Sequence, residues 1–275
     1  METNTRRRCA YCGQQEDLTN EHIFPECFRK TFEAISLAKT VDGEKAILSA
    51  LEIGDVCGPC NNGPLSQLDT NLCLLNDKYF SKIVHSGDCV RIEYDADTLL
   101  RMLLKIGYNV ARAREWPFGY LRNASPYILG KESRPVEFRI FLQLMIPTPA
   151  KKTNLPLLPG TKEIPPLPIS VYAMDTSDYP GIVAGFWVSI WSYRFIILLE
   201  DTEVQRRVRE RTLTLWLKHE KGVCELTYRN AATVYASSAE VLDALKNSPI
   251  FHEQLSKARK LKSATELKKS RKLAR

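Results

Sequence analysis

Two Cys-x2-Cys pairs, Cys9-Ala-Tyr-Cys12 and Cys57-Gly-Pro-Cys60, frame the dipeptide Glu21-His22, and the second pair runs directly into Asn61-Asn62. Four thiolates from two such knuckles satisfy one tetrahedral Zn2+ and leave it no open position, so the metal they imply is structural. The residues between and beside them can do other work. Histidine titrates near neutrality and can act as a general base. A carboxylate and an amide oxygen can hold a hard divalent ion with positions left open for phosphate. Phosphodiester hydrolysis needs both parts, a base for water and a cation for the charge that develops on phosphate and leaving oxygen. Taken singly, His22 also suits a structural side chain, and Asn61-Asn62-Gly63 suits a turn and helix cap. Asp69 equally suits an acid that complements a helix dipole.

These residues sit on short elements. Leu18 to Phe24 is expected as a strand carrying Glu21 and His22, closed by Pro25. A helix is expected over 27–38, a second strand over 46–53, and a helix starting at Asn62-Gly63-Pro64 whose apolar face is Leu65, Leu68, Leu72 and Leu75. Asp97 opens a further helix with Leu99, Leu100, Leu103, Leu104, Ile106 and Val110, ended by Trp116-Pro117. Beyond a strand over 136–147, seven prolines between 147 and 168 make an extended connection. Strands follow at 169–174, 183–191 and 194–199, then a charged helix near 202–211, a hairpin over 212–228, and a helix from Ser238 into the C-terminal end. The nearly continuous apolar run Gly181 to Leu199 is read as a buried hairpin; it is short for a bilayer and contains Arg194.

The strand-strand-helix order, together with Leu18-Thr19-Asn20-Glu21-His22-Ile23-Phe24-Pro25, Cys57-Gly58-Pro59-Cys60-Asn61-Asn62-Gly63 and Ser66-Gln67-Leu68-Asp69, resembles the HNH endonucleases of the ββα-metal superfamily. It is closest to the subgroup with a Glu-His-x-x-Pro strand and a Cys-x2-Cys-Asn-Asn turn. The likeness covers roughly residues 9–80. It implies an N-terminal ββα-metal domain with structural zinc on Cys9, Cys12, Cys57 and Cys60; the element pattern beyond the likeness adds a β-rich α+β domain and a basic C-terminal helix, so the expected fold class is α+β. The likeness also implies His22 as the base, Glu21 with Asn61 or Asn62 at a catalytic Mg2+ or Mn2+, and Asp69 supporting the ion or the histidine. The sequence departs from the usual pattern at two points. Asn61 stands where many HNH enzymes have histidine, and Glu52 and Asp55 occupy the neighbourhood of the middle asparagine.

Charge adds a partner. Nine Lys/Arg lie between Lys257 and Arg275 against Glu266 alone, so the formal net charge of +7 is carried by this end, and residues 1–256 are near −1. Lys257, Arg259, Lys260, Lys262, Lys268, Lys269, Arg271 and Lys272, with Arg6, Arg7 and Arg8 beside the first knuckle, suit a phosphate backbone as well as a solvated helix end. The expected organisation is a nuclease-like zinc domain over 1–115, a β-rich domain over 116–256 and a basic tail over 257–275. With no apolar leader behind Met1, the chain is expected to be cytoplasmic, and Cys27, Cys73, Cys89 and Cys224 are expected to be free thiols. The expected activity is metal-dependent hydrolysis of DNA, as an effector in defence or mobile-element biology, with residues 116–256 available for a partner protein or signal. The alternative is a zinc-stabilised nucleic-acid-binding or regulatory module that does not cleave. His22 separates the two, because catalysis requires it and binding does not.

Overall fold

The computed structural model describes residues 8–28, 52–116, 119–135, 137–149, 162–166, 169–220, 222–227 and 231–236. Strands β1 (Leu18–His22) and β2 (Glu52–Cys57) pair antiparallel, with Leu18 opposite Cys57 and His22 opposite Glu52. That register fixes the site. One end of the ribbon lies at the second knuckle, and the other carries the histidine.

From Cys57 the chain enters helix at once, through a turn at Gly58–Cys60 and a wide turn at Asn61–Leu65, into α1 (Ser66–Leu75). Helical structure therefore begins at Gly58, ahead of the start that Asn62-Gly63-Pro64 suggested. Pro64 sits inside the path, where its missing N–H breaks one hydrogen bond, and Gly63 absorbs the kink at φ −101°, ψ −107°. Leu65, Leu68 and Leu72 are buried on the expected face.

A turn at Asn76–Phe80 and strand β3 (Cys89–Glu93) lead to α2 (Ala96–Ala113). Asp95, not Asp97, caps α2, accepting from the Thr98 N–H at 2.7 Å. Every apolar residue expected on this helix is buried. Short helices α3 (Gly119–Asn123) and α4 (Ser125–Ile128) follow.

The remaining strands are β4 (Phe138–Leu144), β5 (Thr148–Pro149), β6 (Glu163–Ile164), β7 (Ser170–Met174), β8 (Ile182–Ile190), β9 (Tyr193–Glu200), β10 (Val223–Glu225) and β11 (Ala231–Tyr235), with α5 (Arg206–His219) between β9 and β10. Five of them form an antiparallel sheet in the order β10-β4-β9-β8-β7. Both of its faces are covered. Ile140, Leu142, Phe195 and Ile197 join the main core, while the alternating Phe141, Ile196 and Leu198 pack with Leu213 and Trp216 of α5. Burial on two sides explains the unbroken apolar run, which forms the hairpin β8–β9 as expected. It also corrects the hairpin expected over 212–228. Thr212 to Leu215 alternates like a strand, yet Leu213, Trp216 and Leu217 at helical spacing are what the second face takes up, so 212–219 is helix and only Val223–Glu225 is strand.

The zinc end and the sheet share packing. Gly107 on α2 admits Phe186 of β8 so closely that a Cβ there would lie 2.5 Å from the ring. The Phe80 ring centre lies 4.9 Å from that of Tyr193, tilted, and 5.3 Å from that of Phe195, edge-on. Strand β11 pairs with β3, and the main cluster of buried apolar side chains runs from Cys9 to Val234, separate from the one beneath α5. Cys27 and Cys73, expected as free thiols, form a disulfide: α1 folds back along the segment after β1 and brings their Cα atoms to 5.8 Å. The helix over 27–38 beyond Phe28, the strand before Glu52, the helix from Ser238, Arg6, Arg7 and the whole 257–275 tail lie outside the described residues. Among the described residues, no helix is long and apolar enough to cross a membrane.

Candidate functional site

The first knuckle is a tight turn, with the Gly13 N–H donating to the Cys9 carbonyl at 2.9 Å and Gly13 at φ +72°. Ala10 is fastened to the carbonyl of Asp55 at 2.9 Å, which sets this knuckle against the second. The four sulfurs of Cys9, Cys12, Cys57 and Cys60 all lie within 4.8 Å of one another, and those of Cys12 and Cys57 are 3.6 Å apart. Tetrahedral Zn–S bonds of about 2.3 Å place sulfurs about 3.8 Å apart, so this donor set fits a structural metal such as zinc with little adjustment. Burial raises the thiol of Cys9, but N–H groups of Cys12, Cys57 and Tyr11 bring it down to about 7. Burial pushes Cys57 up to about 11 and Cys60 higher still. Four thiolates at such separations repel one another, and a divalent metal is what makes them all ionise.

Glu21 and His22 are adjacent in β1 and so face opposite ways. His22 is half-exposed, and its Nδ1 lies 3.4 Å from Oε1 of Glu52, the residue that the β1–β2 register places across from it. Glu21 is 2% exposed and points into the core. There its Oε1 meets the ammonium of Lys105 at 2.6 Å, and the same ammonium donates to Oδ1 of Asp69. Lys105 itself is 1% exposed. Burial raises the pKa of both carboxyls, against the opposing pull of Lys105. The structure thus brings together Glu21 and Asp69, but with a lysine between them.

Asn61 lies against β1. Its amide nitrogen donates to the Thr19 hydroxyl at 2.9 Å and to the Asn20 carbonyl at 2.8 Å, which leaves Oδ1 as its remaining polar end. Thr19 in turn donates to the Val56 carbonyl at 2.9 Å, so the amide is tied to both strands. Asn62 is exposed. Arg8 is exposed, and its guanidinium donates to the carbonyl of Gly13 at 3.3 Å. Of the pair expected at a divalent ion, Asn61 offers an oxygen, whereas the Glu21 carboxylate is already bound to a cation.

Sequence reasoning missed the residues of α2 that organise this site. Lys105, Asn109 and Arg112 form a polar stripe at i, i+4 and i+7 on a largely buried helix, and Lys105 and Asn109 are themselves buried. Asn109 is fully buried and donates to the His22 carbonyl at 3.0 Å, while Tyr11 of the first knuckle donates to its Oδ1 at 2.6 Å. Arg112 also donates to that oxygen, lies 3.0 Å from a carboxylate oxygen of Asp55, and stacks over the rings of Tyr11 and Tyr108. The stripe therefore connects the knuckles to the histidine strand. A signal existed, since polar residues at helical spacing on a buried apolar helix require partners.

Neither a family model, nor a curated protein, nor a solved structure matches this chain.

Proposed function

We propose that the chain is an HNH-type endonuclease that hydrolyses DNA phosphodiester bonds, with His22 as the general base. The observation that carries this reading is the placement of His22. The imidazole is solvent-accessible on a ribbon anchored by four cysteines, with Glu52 beside Nδ1 and Nε2 as the nitrogen to meet a water. A carboxylate that accepts from one ring nitrogen holds the tautomer that makes the other a base, and Glu52 at 3.4 Å stands where it can do so. Asn61 is fixed on the neighbouring turn with an oxygen to spare for phosphate-bound Mg2+ or Mn2+. Glu21 does not fit that ion as it stands, and no step is assigned to an ion on it. The basic residues of the tail add affinity for the phosphate backbone, and the role as an effector in defence or mobile-element biology belongs to this reading.

One observation favours the second reading, a zinc-stabilised nucleic-acid-binding or regulatory module that does not cleave: Lys105 occupies the carboxylates that resemblance assigns to the catalytic centre. Incubating plasmid DNA with the protein and with His22→Ala, in Mg2+, Mn2+ or neither, separates the two. Cleavage that is lost in the variant while affinity is kept supports the nuclease. Binding without cleavage by the unaltered protein supports the module, and undiminished cleavage by the variant overturns the role of His22.

A further inference from the structure

The Glu21–Asp69 pair has the composition of a divalent-cation site. Two carboxylates from different elements, β1 and α1, converge on one point beneath the histidine strand. At that point stands the Nζ of Lys105, reaching across from α2, 2.6 Å from Glu21 and hydrogen-bonded to Asp69. The three side chains are enclosed: Lys105 and Glu21 are almost wholly buried, and the Asp69 side chain is 22% exposed. A buried carboxylate is compensated by a proton or a counter-ion, and here the fold supplies one ammonium between two carboxyls.

We propose that Lys105 is the resident cation of this site, so that the ammonium fills the place of a divalent ion and Glu21 and Asp69 bind no metal in the folded protein. The reason is competition at fixed geometry. An ion at the carboxylates has to displace an ammonium whose backbone is held in place by the buried apolar face of α2. A displaced Lys105 would also be left as a buried charge without a partner, which penalises the exchange further. Lys105 is thereby a positioning residue: one ammonium joins β1, α1 and α2 immediately behind His22. The carboxylates belong to the site of the proposed nuclease, but their metal occupancy is read without DNA and does not require cleavage.

The test is a Mn2+ titration of full-length, zinc-loaded protein, followed by loss of the free aqueous Mn2+ signal in electron paramagnetic resonance. The unaltered protein is expected to bind no Mn2+ that depends on Glu21 or Asp69. Lys105→Ala, checked for retained zinc and helix content, is expected to gain a Mn2+ site, and adding Asp69→Asn, which removes one of its two carboxylates, should abolish it. Where Lys105→Ala does not fold, Lys105→Gln replaces it, a neutral side chain that can still hydrogen-bond. Uptake by the unaltered protein that Glu21→Gln or Asp69→Asn abolishes overturns the proposal; so does a folded neutral variant that gains no site. Uptake that neither carboxylate substitution changes lies elsewhere and agrees with it. An absence of DNA cleavage would remove the nuclease reading and leave this result intact, and a Glu21-dependent Mn2+ site would do the reverse.

Discussion

The four-sulfur cluster and the Glu21–Lys105–Asp69 cluster lie on the same small scaffold and meet the same physical problem in opposite ways. Each gathers acidic side chains out of water, where charges of one sign cannot remain together uncompensated. Around Cys9, Cys12, Cys57 and Cys60 the compensation is external: the sulfurs converge on one point within 4.8 Å of one another, suited to a metal. Around Glu21 and Asp69 it is internal, a lysine from another helix. A metal on the first cluster would tie folding to its binding. The second makes folding conditional on the packing of α2.

The largest effect should come from the first cluster. Structural Zn2+ contributes apparent free energies of about 10–16 kcal/mol in small zinc modules, comparable to the whole stability of a typical domain. Stripping the metal, or making Cys57→Ser, should therefore open the β1–β2 ribbon, read as a fall in amide-exchange protection at Glu21 and His22. Elemental analysis should find one zinc per chain, and freshly purified soluble protein without metal would remove the contrast. Next comes Lys105→Ala, which leaves two enclosed carboxylates without their partner and should cost about 3–5 kcal/mol in urea unfolding. Replacing the trio together, with Glu21→Gln, Lys105→Met and Asp69→Asn, should recover most of that deficit. A single substitution costing no more than a surface change, about 0.5 kcal/mol, would mean that the ammonium is not bound as described.

His22→Ala sharpens the comparison because the imidazole is paired with Glu52 and bonded to neither cluster. Stability should move by no more than about 0.5 kcal/mol, because the imidazole is half-exposed, while DNA cleavage should fall by about 10²–10⁴. The smallest effect is expected at the C-terminal end. Removing 257–275 should leave both clusters and low-salt cleavage unchanged, but should flatten the slope of log affinity against log salt by about 0.9 for each phosphate that the tail no longer neutralises. Equal slopes for the two proteins would assign the tail another partner or none.

The sequence disclosed the four-cysteine cluster because a knuckle is a local object: two cysteines separated by two residues must share a turn, whatever surrounds them. The same locality made the β8–β9 hairpin and the buried face of α2 readable. It failed where a distant surface decided. Thr212 to Leu215 alternates as a strand would, and only the second face of the sheet, with Phe141, Ile196 and Leu198, selects the helix that presents Leu213 and Trp216. Cys27 and Cys73 have no spacing that pairs them, and only the return of α1 makes them partners.

By itself, then, the sequence determined the four cysteines suited to a structural metal, the strand that carries Glu21-His22, and the turn that carries Asn61, since each depends on residues near one another along the chain. Tertiary structure decided what Glu21 does. Lys105 lies far beyond it in sequence, and its role follows from helix packing that brings one ammonium between two carboxylates, where the low dielectric of the interior makes the choice of partner a condition of folding.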